Sequence, residues 1–178
     1  MNEENQLRPK TATTSFRLEA SVLDALREDA KRQNLSINTL LNQILLTYTN
    51  YDRPMKRFRM LKLPASAFKR ILEAAPDEAI IEAGRSTGRD VPETYIRARW
   101  GELTVENALS FLKITGEYSN RFEYSEIVHD GKISVTLTHD FGTKGNLFLQ
   151  SFVKAIFHQM GASPRFSSDT NAVTFELR

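Results

Sequence analysis

A chain of 178 residues, 40% apolar and 26% charged, has material for one globular core or two small ones. It contains no cysteine, which removes disulfides, thiolate catalysis and cysteine-ligated zinc or iron–sulfur centres. The net charge is +2, with 9 Lys/Arg against 7 Asp/Glu in residues 1–57 and 15 against 15 in residues 58–178, so bulk charge offers little attraction to a polyanion.

The segment Met1–Gln6 is polar and acidic, unlike the apolar centre of a signal peptide. No apolar run approaches the roughly 20 residues that span a bilayer. A cytoplasmic protein without membrane association is expected. Residues 1–11 read as a flexible polar tail carrying Arg8, Pro9 and Lys10.

Residues 13–19 alternate as a strand does: Phe16 and Leu18 fall on one face, Thr13, Ser15 and Arg17 on the other. Ser21 stands at an N-cap position with Asp24 three residues on, and Val22, Leu23, Leu26 and Ala30 recur at helical spacing through Gln33. Asn34 suits a left-handed C′ residue. Ser36 then caps a second helix, running to about Asn50, with the stripe Ile37, Leu40, Leu41, Ile44, Leu45 and Tyr48. Pro54 disfavours helix at Arg53, which makes Tyr51–Pro54 the expected boundary between a domain at 12–52 and another at 56–178.

In the second domain, Phe58–Leu63 alternates loosely as a strand ended by Pro64. Ser66 can cap a helix bearing Phe68, Ile71 and Leu72. Pro76 opens another, with Ile80 and Ile81, that should terminate near Gly84 to Gly88. A further short helix fits within 89–103, and Thr104 caps a clear helix through Leu109, Leu112 and Ile114. Asp130-Gly131 between Phe122–Val128 and Lys132–Thr138 is a strong hairpin signal. A helix from Lys144 to Met160 stops at Gly161, and Val173, Phe175 and Leu177 alternate as a last strand. The expected class is α+β with an antiparallel sheet.

The order strand, helix, Asn34-Leu35-Ser36 turn, helix, with Ser15-Phe16-Arg17-Leu18, Ser21-Val22-Leu23 and Leu26 at their spacings, resembles the ribbon-helix-helix (MetJ/Arc/CopG) family of DNA-binding proteins over residues 12–50. Many members carry Gly where this chain has Asn34, and Asn also tolerates the left-handed conformation. The resemblance implies a homodimer whose two strands pair antiparallel and whose helices close over Phe16, Leu18, Leu26, Leu41 and Ile44. It implies that Thr13, Ser15 and Arg17 face base edges in the major groove of double-stranded DNA, with Arg17 the guanine reader by its paired donors. It also places phosphate contacts at Leu35, Ser36 and Ile37, with Arg8 and Lys10 adding backbone contacts from the tail.

The function so implied is a dimeric, sequence-specific transcriptional regulator that needs no cofactor or metal. Residues 56–178 would then sense a small molecule, recruit a protein or extend oligomerisation. A plasmid-maintenance, antitoxin-type or DNA-organising protein is the alternative, and an enzyme joined to a dimerisation module a remote one. No Ser/His/Asp or paired-carboxylate arrangement appears at catalytic spacing. His129, His139 and His158 invite a metal reading, yet the hairpin register separates His129 from His139 and there is no His-x-His. His139–Gly142 reads as a turn, Gly84–Arg89 as a helix-to-loop transition lacking a P-loop ending, and Trp100 with Tyr95, Arg97 and Arg99 as core edged by arginines.

Overall fold

A computed structural model describes residues 12–177; the tail at 1–11, with its phosphate candidates Arg8 and Lys10, lies outside the described residues. The protein is α+β with a four-stranded antiparallel sheet. It divides between Leu45 and Leu46 into two compact units.

In the first unit, helix α1 (Ala20–Arg32) is joined by a short turn to helix α2 (Ile37–Thr47), inside which the division falls. α1 begins one residue before Ser21: Glu19 is extended, and its carbonyl accepts from Leu23 N–H to close the first turn. Ser21 therefore sits inside the helix, and no side chain caps this end. Ala30 and Leu40 are the buried apolar residues among those described in the unit. The expected strand at 13–19 is absent from the single chain, where residues 12–19 carry no regular secondary structure. A strand exists only by its cross-strand hydrogen bonds, and no described segment pairs with this one.

The second unit begins within the helical run. Tyr48–Asp52 forms a π-turn, followed by helix α3 (Arg53–Met55) and a 3₁₀ turn at Lys56–Phe58, so the chain does not break at Tyr51–Pro54. Pro54 has no N–H for the carbonyl four residues behind it, that of Asn50. The Tyr95 hydroxyl donates to that carbonyl at 2.5 Å. Arg59 then takes a left-handed conformation (φ 51°), which ends the turn. The expected strand at 58–63 is not formed: Phe58 closes the 3₁₀ turn, Arg59 reverses the backbone, and the segment reaches no sheet edge.

Helix α4 (Ala65–Ala74) starts from Pro64 rather than from a Ser66 cap. Helix α5 (Asp77–Trp100) runs straight through Gly84, Gly88 and Pro92, where the sequence pattern suggested a stop and a second helix. The glycines are needed for contact, not for termination. A Cβ on Gly84 would stand 2.5 Å from the Phe148 carbonyl oxygen of helix α7 (Gly142–His158), and one on Gly88 would crowd the Phe152 carbonyl still more closely. Pro92 repeats the logic of Pro54: the acceptor it leaves open is the Gly88 carbonyl, and Gln159 Nε2 donates to it at 3.4 Å.

Helix α6 (Val105–Ser119) is capped by Thr104, whose Oγ1 accepts from Asn107 N–H at 3.2 Å. Strands β1 (Glu123–His129) and β2 (Lys132–Thr138) form the expected hairpin over Asp130-Gly131, both with positive φ, as a tight two-residue turn requires. Strand β3 (Arg165–Asp169), absent from the sequence reading, pairs with β4 (Ala172–Leu177), and the sheet order is β1-β2-β4-β3. On β2 and β4 the alternation is strict: Val135 opposes Phe175 and Leu137 opposes Val173, all fully buried. They share a core with Ile156 and Phe157 of α7 and Phe111 and Leu112 of α6. Each such side chain contributes roughly 1.5–3 kcal/mol by leaving water. The opposite face is polar, with Thr136 and Thr174 joined across it at 2.9 Å. Among the described residues no helix is long and apolar enough to cross a membrane.

Candidate nucleic-acid interface

The turn between α1 and α2 is built by its own residues. Asn34 adopts φ 54°; its N–H donates to the Lys31 carbonyl, and the Leu35 N–H reaches back to the Ala30 carbonyl at 2.9 Å. This pair of bonds is the Schellman arrangement, which satisfies the last carbonyls of α1. Ser36 then caps α2: its Oγ accepts from Thr39 N–H at 3.0 Å and lies 2.8 Å from Thr39 Oγ1, while its carbonyl accepts from Leu40 N–H. Ser36 is exposed, and Leu35 and Ile37 are half-buried on either side of it. The amino end of α2 thus opens at the surface, with the positive end of the helix dipole behind it.

The three residues expected to meet bases, Thr13, Ser15 and Arg17, are all exposed. Arg17 has no ion pair among the described residues, whereas Arg27 pairs with Asp24 and Arg32 with Asp29 on α1. Of the five residues assigned to a dimer core, Leu26 and Leu41 are half-buried, while Phe16 is 64% exposed, Leu18 41% and Ile44 45%. Val22 and Leu45 are exposed as well. The single chain thus leaves a large apolar surface on its smaller unit.

The other candidates resolve into structure. His139 is buried; its Nδ1 accepts from Phe141 N–H at 3.1 Å and its Nε2 lies 2.9 Å from Asn146 Oδ1, whose amide nitrogen donates to the Asp169 carbonyl. Nε2 therefore carries the proton of a neutral ring, and burial depresses the pKa against smaller raising contributions from Asn146 and Asp140. The Gly142 N–H donates to Asn171 Oδ1, so the His139–Gly142 junction is engaged by the protein itself. His129 opposes Lys132 in the hairpin, at an exposed tip. No cluster of metal-binding side chains occurs among the described residues. Gly84–Arg89 lies within α5. Trp100 stacks edge-on to buried Tyr95, with the Arg99 guanidinium over its ring.

One feature escaped the sequence reading. Arg53, Lys56, Arg57, Arg59 and Lys62 follow one another with no Asp or Glu before Glu73. Charge totals divided at residues 57 and 58 cut this run in half; a short sliding window would have found it. No protein-family model matches the chain, and no curated protein is a significant match to it.

Proposed function

We propose that this chain is a dimeric, sequence-specific DNA-binding transcriptional regulator that reads the major groove with a two-stranded ribbon, one strand from each copy. The carrying observation is the exposed apolar set Phe16, Leu18 and Ile44, on a unit whose intervening residues Ser15 and Arg17 are polar and also exposed. The smaller unit buries only Ala30 and Leu40 among its described residues, too little apolar surface for a core of its own. A second copy supplies both the missing strand partner and the cover for that surface.

In the dimer, alternation turns Phe16 and Leu18 toward the helices, over Leu26, Leu41 and Ile44, and leaves Thr13, Ser15 and Arg17 outside. A ribbon of this width enters the major groove, where Arg17 offers paired donors to guanine O6 and N7, and Thr13 and Ser15 make more permissive contacts. The exposed Ser36 cap presents the amino end of α2, with the backbone at Leu35 and Ile37, to a phosphate. The larger unit, with its own core, then serves as sensor, partner-binding or oligomerisation domain.

Sedimentation equilibrium of the full chain, beside its Phe16→Asp variant, tests the dimer. A wild-type dimer and a monomeric variant with an unchanged far-ultraviolet spectrum are expected. A monomeric wild type at micromolar concentration removes the ribbon.

A further inference from the structure

We propose that residues 53–62 form a second, sequence-independent contact for the phosphates of nucleic acid, carried by the larger unit and separate from the ribbon. The chain as a whole has a net charge of only +2, yet Arg53, Lys56, Arg57, Arg59 and Lys62 lie within ten residues, and no carboxylate intervenes through Leu72. All five are exposed. None forms an ion pair among the described residues, whereas Arg27, Arg32, Arg85, Arg97 and Lys144 each pair with an Asp or Glu. Lys56 Nζ is engaged by Tyr48, donating to its hydroxyl at 3.3 Å and lying 4.9 Å from its ring centroid, while Arg53, Arg57, Arg59 and Lys62 have no carboxylate partner among the described residues. Exposed cations concentrated this way repel one another and are stabilised by a polyanion that replaces its own counterions with them.

Backbone shape favours nucleic acid over the other common polyanion, an acidic lipid surface. An interfacial binder lays down an amphipathic helix, with apolar side chains on one face. Here Lys56–Phe58 is a single 3₁₀ turn, Arg59 is left-handed, and Met60–Pro64 has no helical structure, so no such face forms although Met60, Leu61 and Leu63 are exposed. Arg53, Lys56 and Arg57 end the helical run and Arg59 and Lys62 follow on an irregular strap, an arrangement that suits a line of phosphates. The identity of the polyanion rests on the DNA-binding reading of residues 13–17; the existence of the basic strap does not.

The test uses the full chain in four forms: wild type, Arg17→Ala, the triple variant Arg57→Gln/Arg59→Gln/Lys62→Gln, and a control in which exposed Lys132 and Lys154 become Gln. Affinity for a fluorescent random-sequence duplex is measured by anisotropy across a salt series. The triple variant should bind more weakly, with the slope of log affinity against log salt shallower by about 0.9 per lost phosphate contact, or roughly 2–3 in all. The control should keep the wild-type slope. Wild-type behaviour of the triple variant, or an equal loss in the control, overturns the proposal. Wild-type affinity and preference in Arg17→Ala, together with weakening in the triple variant, would sink the ribbon and leave the strap standing. Binding to phosphatidylserine vesicles that the triple variant loses, without duplex binding by the wild type, overturns the nucleic-acid assignment in favour of lipid.

Discussion

The phenol of Tyr95 donates to the carbonyl of Asn50 at 2.5 Å, and that carbonyl is the one Pro54 leaves without a backbone donor. Tyr95 is 1% exposed, and burial raises its pKa, so it remains a donor across the ordinary pH range. Asn50 is held further by its side chain, which accepts from Arg99 Nη2 at 3.0 Å and donates to the Tyr118 hydroxyl at 3.4 Å. A π-turn and a proline that would ordinarily break the helix are thereby kept in a continuous run.

Tyr95→Phe should therefore cost about 1–3 kcal/mol, the range for stranding a buried acceptor. Urea unfolding reads it directly. Gln159→Ala, which removes the longer bond to the Gly88 carbonyl, should cost less. If Tyr95→Phe unfolds at the wild-type midpoint, the hydroxyl does not support the turn.

Gly84→Ala and Gly88→Ala should each destabilise, by about 1–3 kcal/mol or more, because the new methyl meets backbone of α7 and not a movable side chain. On an exposed helix the same change would stabilise by up to about 1 kcal/mol. The sign of the shift in thermal midpoint thus decides whether close helix approach is what the glycines serve.

His139 sets an acid limit on stability. Burial holds its folded-state pKa below the ordinary histidine value of about 6.5, so above that pH both states are neutral and its contribution is complete. As pH falls below 6.5 the unfolded chain takes up a proton that the buried ring refuses, and stability declines until the folded pKa is reached. Unfolding free energies of wild type and His139→Gln, measured from pH 7.5 to 5, should converge on acidification. Parallel curves would contradict the buried neutral ring.

Ser36→Ala should lower stability by about 0.5–2 kcal/mol through loss of the bond to Thr39 N–H, while Ser21→Ala should be close to neutral. Unfolding at one fixed protein concentration makes the comparison fair, since stability of an oligomer depends on concentration.

Local chemistry was readable in the sequence where residues act on their immediate neighbours. Asn34, Ser36, Thr104 and Asp130-Gly131 hold the positions their side chains and conformations favour. Apart from the caps expected at Ser21 and Ser66, which each miss a helix start by a residue or two, the differences arise where long-range partners override local signals. Gly84 and Gly88 look like terminators until α7 is placed against them; Pro54 looks like a break until Tyr95 serves the carbonyl it leaves open. Phe58–Leu63 alternates like a strand, but a left-handed Arg59 and the lack of a sheet edge decide otherwise. β3 went unseen because Arg165–Asp169 offers a single large apolar residue, Phe166, and forms only by pairing with β4. For the candidate site, the Ser36 cap was legible from its own sequence, whereas residues 12–19 are all exposed in one copy, so Thr13, Ser15 and Arg17 are not set apart there from Phe16 and Leu18; the ribbon itself depends on a second chain and has no signature in one copy.

On the proposed reading, Arg17 reads a base from an intersubunit ribbon. Duplexes selected from random sequence by the full chain define its preferred site, and competition anisotropy then compares wild type with Arg17→Ala on that site and on its single-base variants. Arg17→Ala should lose roughly 1–3 kcal/mol on the selected site and no longer distinguish guanine at one position in each half-site. Unchanged affinity and unchanged base preference in Arg17→Ala would contradict it.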